Sequence, residues 1–152
     1  MQKLEFDSAE LSLSMYVSSL FLRERNFVAV PVFLSRFFPL STIYVNTQSF
    51  INNPHDLCGK KVGMHSYQFT AGVWIRGILD EWYGVPANSV SYVIGGLSDP
   101  KEIHVQLSFE PPHGIKLQAT SNGETISDAL EHGQIDAIYS PTPSPYFKKN
   151  TN

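Results

Sequence analysis

A strand–helix–strand unit in the middle of the chain constrains the fold more than any other feature of the sequence. Residues 61–64 predict a short strand, residues 71–83 a helix, and Ser89–Ile94 the next strand. Gly84 and Pro86 follow the helix, and this pair is typical of a helix end. A βαβ unit of this length predicts two parallel strands joined by a right-handed crossover. The sequence therefore predicts an α/β fold.

Two predicted helices carry apolar stripes that we expect to be buried. In the central helix, which Thr70 is expected to cap, the stripe consists of Val73, Trp74, Gly77, Ile78 and Trp82. A second helix is predicted over residues 11–22, and its stripe consists of Leu13, Tyr16, Val17 and Leu20. Candidate caps for the second helix are Asp7, Ser8 and Ser12.

Residues 27–33 are apolar and rich in β-branched side chains, which predicts a strand buried on both faces. Pro31 has no N–H to donate to a neighbouring strand, so this strand is expected at an edge or an end of the sheet. After Pro141 the chain is expected to leave regular structure. Further strands are predicted over 41–46, 103–109, 115–119 and 134–139, and a short helix, capped by Asn122, over 124–130.

Composition and charge exclude several classes of function. The chain has 152 residues, one cysteine and a formal net charge of -3. An acidic balance argues against a nucleic-acid partner, which would require a basic face, and one cysteine excludes an internal disulfide. No apolar run reaches the ~20 residues that cross a membrane. The start has no basic segment followed by an apolar one, which predicts a cytoplasmic chain; a signal peptide encoded upstream would instead predict the periplasm. A monomer and a homo-oligomer both remain open.

The loop after the 61–64 strand is the strongest candidate site. It lies at the carboxyl end of a predicted parallel strand, and the helix N-terminus that follows offers unpaired N–H groups to an anion. Tyr67, Gln68 and Thr70 add polar groups there, and His65 is a candidate general acid near neutral pH. The alternatives are an ordinary helix cap and an incidental histidine. No histidine pair has the spacing of a metal motif, and neither a metal nor an organic cofactor is predicted.

Two arginines are candidate anion ligands. Arg36 follows the apolar 27–33 run among aromatic residues, where a desolvated guanidinium requires a carboxylate from a ligand or from the protein. Arg76 is six residues beyond Thr70 and reaches the same anion only with an extended side chain. For Arg76 a solvated charge or a structural ion pair is the favoured interpretation.

Several segments, in this order, resemble the 4,5-dihydroxyphthalate decarboxylase family. The Tyr-Gln-x-Thr-Ala-x-x-Trp-x-Arg-Gly string, residues 67–77, is the specific one, whereas Gly-x-Ile-Asp-Ala, residues 133–137, is shared by many solute receptors. The family usually has Pro-Glu where this chain has His65-Ser66, and Phe-Arg-His-Ser where it has Phe-Phe-Pro-Leu-Ser at 37–41. The matching segments are 6–14, 27–33, 41–46, 59–63, 67–79, 83–85, 95–97 and 133–137.

The resemblance implies a type-2 periplasmic-binding-protein-like fold, in which two α/β lobes enclose a ligand cleft. It implies that residues 1–46 are part of the first lobe, that residues 47–147 are most of the second, and that 148–152 are a tail. It also implies an incomplete first lobe, with family elements missing before Met1 and after Asn152.

The resemblance further implies the non-oxidative decarboxylation of a dihydroxylated aromatic dicarboxylate, with a small aromatic or organic anion as the partner. Arg36 and the helix start at Thr70 are then expected to hold carboxylates, and Tyr67 and Gln68 to orient the hydroxyl groups or the ring. Ser14 and Arg76 complete the candidate substrate contacts. His65 is the candidate acid from its place in the loop, although the family pattern does not place an acid at this position. Two alternatives remain: a non-catalytic solute-binding protein for a small organic anion, and an inactive truncated remnant.

Overall fold

The computed structural model describes residues 6–22, 27–32, 34–36, 38–100, 110–121 and 123–149. Its centre is a mixed five-stranded sheet with the strand order β1-β5-β2-β3-β4. The β5, β2, β3 and β4 strands run parallel to one another, whereas β1 is antiparallel to β5. The strands are β1 Ile43–Val45, β2 Lys61–Met64, β3 Ser91–Ile94, β4 Lys116–Ala119 and β5 Ala137–Tyr139.

In the described ranges, four α-helices accompany the sheet. They are α1 Leu13–Ser19, α2 Thr70–Tyr83, α3 Ile126–Glu131 and α4 Pro145–Lys149. The predicted βαβ unit is confirmed, because α2 connects β2 to β3 and the two strands are parallel. The α4 helix corrects the expectation of an irregular tail: Pro145 is its first residue, where a missing N–H costs no helical hydrogen bond.

Helices cover both faces of the sheet. Side chains alternate along a strand, so Val62 and Met64 pack in the core that contains the buried face of α2, while Gly63 faces the opposite side. On that side Ile126 of α3 lies against Gly63, and a Cβ added there would be 2.6 Å from the Ile135 side chain. At Gly63 the β2 strand lies between the two apolar clusters on the two faces of the sheet. The close approach of Ile126 and Ile135 is possible there because glycine has no side chain.

The predicted stripe of α2 is wrong. Val73, Trp74 and Trp82 are exposed, and the helix instead buries a different set of side chains. The predicted stripe and the buried face both have apolar residues at helical spacing. The buried face also contains the charged Arg76, so the sequence pattern does not identify it as the buried one. Gly84 does end the helix as predicted, in the left-handed conformation with φ of 62°. The buried residues of α2 are Ala71, Gly72, Ile75, Arg76 and Leu79.

The predicted strand at residues 27–33 is also wrong. Residues 27–32 form no strand, and Val28 is 90% exposed. A β-branched run forms a strand only where a neighbouring strand accepts its hydrogen bonds, and none of the five described strands pairs with this segment. Phe33 lies outside the described residues.

The first helix is shorter than predicted and buries no residue completely. Leu13 and Val17, two members of its predicted stripe, are 55% and 46% exposed. The side chain of Ser12 gives α1 no cap hydrogen bond, since its hydroxyl bonds elsewhere. The apolar periodicity therefore identifies this helix but not the face that contacts the rest of the molecule.

The remaining predicted elements that fall within the described residues are confirmed with somewhat different bounds. The β1, β4 and β5 strands lie within predicted strands, and α3 overlaps the predicted short helix. Thr125 caps α3, with its hydroxyl accepting from the N–H of Asp128. The predicted cap Asn122 and the predicted strand 103–109 lie outside the described residues. Gly95 follows β3 at a position with no room for a side chain, since Thr120 is 2.6 Å from the position of an added Cβ.

Candidate functional site

The turn between β2 and α2 lies at the carboxyl end of a parallel strand, as predicted. Residues 66–69 of this turn are buried, and α2 begins directly after them at Thr70. Phe69 occupies the cap position and provides no side-chain hydrogen bond, so the prediction that Thr70 caps the helix is wrong. Thr70 is instead the first helical residue, and its hydroxyl bonds to another part of the chain.

Backbone donors at the start of α2 lack acceptors in the described part of the chain, and two of the residues that carry them, Ala71 and Gly72, are buried. The first hydrogen bond of the helical i to i−4 pattern runs from the N–H of Val73 to the carbonyl of Phe69. The N–H groups of Thr70, Ala71 and Gly72 have no acceptor among the described residues. A helix N-terminus with unpaired N–H groups carries partial positive charge and favours a carboxylate or another anion.

Two serines from the start of α1 lie against this turn. The hydroxyl oxygens of Ser12 and Thr70 are 2.8 Å apart, and the N–H of Ser14 donates to the Thr70 hydroxyl at 3.2 Å. The Ser14 hydroxyl donates to the carbonyl of Gln68. The structure thus brings together Ser14, Gln68 and Thr70, which the resemblance implies as substrate contacts. The sequence identifies Ser12 only as a candidate helix cap, because a separation of 58 residues gives no local signal for this contact.

The turn also carries a buried acceptor without a partner. The N–H of Gln68 donates to the hydroxyl of Ser66 at 3.3 Å, but the side-chain Oε1 of Gln68 has no hydrogen-bond partner among the described residues. A buried carbonyl oxygen left unpaired costs free energy, and a donor on a ligand can remove that cost. The preceding residue, Tyr67, packs with its ring edge-on to that of Tyr92, at a centroid distance of 5.3 Å.

His65 begins the turn and is half-buried. Its ring contacts that of Phe69, with the centroids 4.4 Å apart and the planes inclined by 50°. The imidazole therefore packs against the residue that precedes α2. Its role as a general acid stays a prediction.

Arg36 does not have the environment that the sequence predicts. It is exposed, as are Leu34 and Phe38 on either side, so the expectation of a desolvated guanidinium is wrong. Phe38, the aromatic neighbour that the structure describes, is itself exposed and does not bury the guanidinium. Binding of a ligand carboxylate by Arg36 stays a prediction.

Arg76 is buried, which corrects the favoured interpretation of a solvated charge or an ion pair. It is 8% exposed and forms no ion pair with a carboxylate of the described residues. Its Nη2 donates to the carbonyl of Tyr67 at 2.7 Å, and its guanidinium carbon lies 3.8 Å from the centroid of that ring. Burial lowers the pKa of the guanidinium. Direct contact of Arg76 with substrate stays a prediction.

Other features of the described chain lie away from this turn. A cleft of about 120 Å³ between β4 and α3 is lined by Lys61, Gln118 and Glu124 among others, and by none of the predicted site residues. In the part of the chain that the structure describes, no three metal-ligating side chains of the His, Cys, Asp or Glu type cluster together. No described helix combines the length and apolar character needed to cross a membrane.

Comparison with known proteins gives two related sequences. No protein-family model matches the chain. A 4,5-dihydroxyphthalate decarboxylase from Comamonas testosteroni is 41% identical over 145 residues, which is 95% of this chain and 44% of that protein. A 4,5-dihydroxyphthalate decarboxylase from Pseudomonas putida is 34% identical over 137 residues, which is 90% of this chain and 53% of that protein.

The resemblance to the 4,5-dihydroxyphthalate decarboxylase family is confirmed. The chain spans about half the length of these two relatives. Neither relative is named as a solute-binding protein, so nothing in these comparisons favours that alternative.

Proposed function

We propose that this chain supplies a substrate-binding α/β unit of an enzyme that decarboxylates 4,5-dihydroxyphthalate. The observation that carries the proposal is the start of α2, where three N–H groups have no acceptor among the described residues. The chain is also 41% identical, over 95% of its length, to a protein named as this decarboxylase. The fold proposed for the complete unit is type-2 periplasmic-binding-protein-like. Residues 1–46 belong to an incomplete first lobe, 47–147 form the second lobe, and 148–152 are a tail.

One carboxylate of the substrate binds at the start of α2. Its oxygens accept from the N–H groups of residues 70–72, where the partial positive charge of the helix end stabilises them. The hydroxyl of Thr70 and the hydroxyl and N–H of Ser14 already meet at this point and can turn to a ligand oxygen. A bound carboxylate therefore replaces hydrogen bonds that now join α1 to α2. Arg36, on the exposed segment, holds the second carboxylate.

The rest of the turn orients the catechol ring. Gln68 Oε1, which has no partner among the described residues, accepts from a phenolic hydroxyl of the substrate. Tyr67, the adjacent residue, contributes to orienting the ring as well; its own ring is buried, with the Arg76 guanidinium over one face. These contacts distinguish a dihydroxylated ring from an unsubstituted phthalate, because the latter leaves Gln68 Oε1 unpaired.

The reaction needs a proton donor and stabilisation of developing charge. His65 protonates the ring carbon that bears the departing carboxylate. The bond from that carbon to the carboxylate then breaks, its electron pair returns to the ring, and carbon dioxide leaves. The product is 3,4-dihydroxybenzoate. No electron acceptor takes part in this sequence, so the decarboxylation is non-oxidative.

The proposal is tested by incubating the purified chain with 4,5-dihydroxyphthalate and measuring 3,4-dihydroxybenzoate by chromatography. The Comamonas testosteroni relative is the positive control. We expect the chain to convert the compound. The turnover rate should fall roughly tenfold or more in Gln68→Met, because the substrate hydroxyl then loses its hydrogen-bond acceptor. Gln118→Met is the matched control, because Gln118 is an exposed residue of β4. A cooperatively folded chain that neither binds nor converts the compound contradicts the proposal, and tight binding without carbon dioxide release would indicate a solute-binding protein.

A further inference from the structure

The most unusual charged group of the described chain is the buried Arg76 on α2. A buried guanidinium is normally compensated by a carboxylate, and none of the described residues supplies one. Arg76 lies instead among aromatic rings and a thioether. Burial of Arg76 without a carboxylate therefore requires another explanation, and its hydrogen bonds to neighbouring residues provide one.

Arg76 holds Tyr67 in two ways at once. Its Nη2 donates to the backbone carbonyl of Tyr67 at 2.7 Å. Its guanidinium carbon lies 3.8 Å from the centroid of the Tyr67 ring. Its Nη1 is directed at the sulfur of Met64, the last residue of β2, at 3.8 Å. The side chain thus connects α2 to the end of β2 and to the middle of the turn between them.

The surroundings reinforce this arrangement. Tyr92 of β3 packs edge-on against Tyr67, and its ring centroid is 5.8 Å from the guanidinium carbon of Arg76. An arginine can donate from one nitrogen while its planar group stacks on an aromatic face. A lysine ammonium offers neither the fork nor the planar stacking surface.

We infer that Arg76 is a positioning residue that fixes Tyr67, and through it the turn that binds substrate, without contacting the substrate itself. The part of this inference that concerns substrate rests on the proposed function. The part that concerns Tyr67 does not, because it describes contacts within the free protein.

The first experiment needs no ligand. The chain is labelled with ¹³C in its tyrosine rings, and Tyr67 is assigned by the signal that disappears in Tyr67→Phe. We expect Arg76→Met, and to a smaller extent Arg76→Lys, to move the Tyr67 ring signals, because the ring loses its planar cationic neighbour. Glu81→Gln is the control, since it changes one charge on an exposed position of the same helix. Unchanged Tyr67 signals in a folded Arg76→Lys variant would overturn the inference.

The second experiment separates positioning from direct contact. Binding of 4,5-dihydroxyphthalate and of 3,4-dihydroxybenzoate, which has one carboxylate fewer, is measured for the original chain and for Arg76→Lys. A positioning residue weakens both by the same factor, roughly tenfold, because the turn itself is disturbed. A larger loss for the dicarboxylate than for the monocarboxylate would indicate direct contact and overturn the inference. If the original chain binds neither compound, the proposed function fails while the tyrosine signals still test Arg76.

Discussion

At the scale of single residues, close packing around the start of α2 depends on Gly72. A Cβ added at Gly72 would lie 2.3 to 2.8 Å from three atoms of the Phe69 ring, which is itself buried in the turn. Gly77, five residues further along the same helix, has no atom within 4 Å of such a Cβ. The two glycines therefore provide a test of how tightly the turn packs on the helix.

Gly72→Ala is expected to destabilise the chain by about 1–3 kcal/mol, because Phe69 must move out of a packed position. Gly77→Ala is expected to stabilise it by up to about 1 kcal/mol, since alanine has the higher helix propensity and meets no neighbour. Urea unfolding followed by circular dichroism measures both. Equal effects of the two substitutions would contradict the described packing of Phe69.

A second residue-scale feature is the carboxylate of Asp128 at the start of α3. The hydroxyl and N–H of Thr125 and the hydroxyl of Tyr146 all donate to it, and the Tyr146 bond is 2.7 Å long. The Thr125 hydroxyl and the Tyr146 hydroxyl are the largest causes that hold the pKa of Asp128 below its ordinary 3.8. The bond to Asp128 in turn raises the pKa of Tyr146 to about 12.

This predicts an acid-dependent contribution to stability. A carboxyl group with a lowered pKa in the folded state stabilises that state above its unfolded pKa, and the contribution is lost as pH falls through the folded value. The difference in unfolding free energy between the original chain and Asp128→Asn should therefore be largest near neutral pH and shrink below about pH 4. Denaturant titrations across this range measure it. A difference that stays constant down to pH 2 would count against the Asp128 contacts.

At the scale of elements, α2 decides how the sheet is covered on the side of the candidate site. Its buried face contains Ile75, which has no solvent exposure, while the adjacent Trp74 is 56% exposed. Burial of Ile75 adds to the free energy of unfolding, because an apolar side chain leaves water and packs closely. The Trp74 side chain is largely in water already and contributes less.

Ile75→Ala is expected to cost about 2–5 kcal/mol of unfolding free energy, and Trp74→Ala to remain within about 0.5 kcal/mol of the original chain. The same pair tests the sequence-derived stripe, which places Trp74 inside. Thermal and urea unfolding compare the two variants. A larger cost for Trp74→Ala would restore that stripe and contradict the rotation of α2 in the structure.

The sequence predicts elements better than it predicts their faces. The βαβ unit follows from turn residues and strand composition, which act locally, so β2, α2 and Gly84 were predictable. Which face of α2 is buried depends on what packs against it, and the buried Arg76 reverses the expected pattern. The contact of Ser12 with Thr70 joins residues far apart in the chain, so no local signal identifies it. The turn at residues 65–69 is predicted by the sequence, but its contact with the start of α1 is not.

At the scale of the whole molecule, the apolar segment at residues 27–32 is exposed to solvent. Val28, Val30 and Val32 are 90%, 73% and 62% exposed, and none of the described strands pairs with their segment. Exposed apolar groups of this size favour association. The chain spans about half the length of its two relatives, and those longer proteins contain further residues that this chain does not match.

We therefore expect the isolated chain to self-associate as its concentration rises. Replacing Val28, Val30 and Val32 together with serine should lower the mean mass measured by light scattering, since the apolar area is removed without touching the sheet. The fold should be unchanged by circular dichroism. A chain that is monomeric at every concentration, with or without these substitutions, would contradict this expectation.

The most direct test of the central claim is an NMR titration of the ¹⁵N-labelled chain with 4,5-dihydroxyphthalate. The claim is that the start of α2 binds a substrate carboxylate. It predicts that the amide signals of Thr70, Ala71 and Gly72 shift most, together with that of Ser14, whose N–H now donates to Thr70. Shifts concentrated at the distant cleft that includes Gln118 and Glu124, or no shifts in a folded chain, would contradict it.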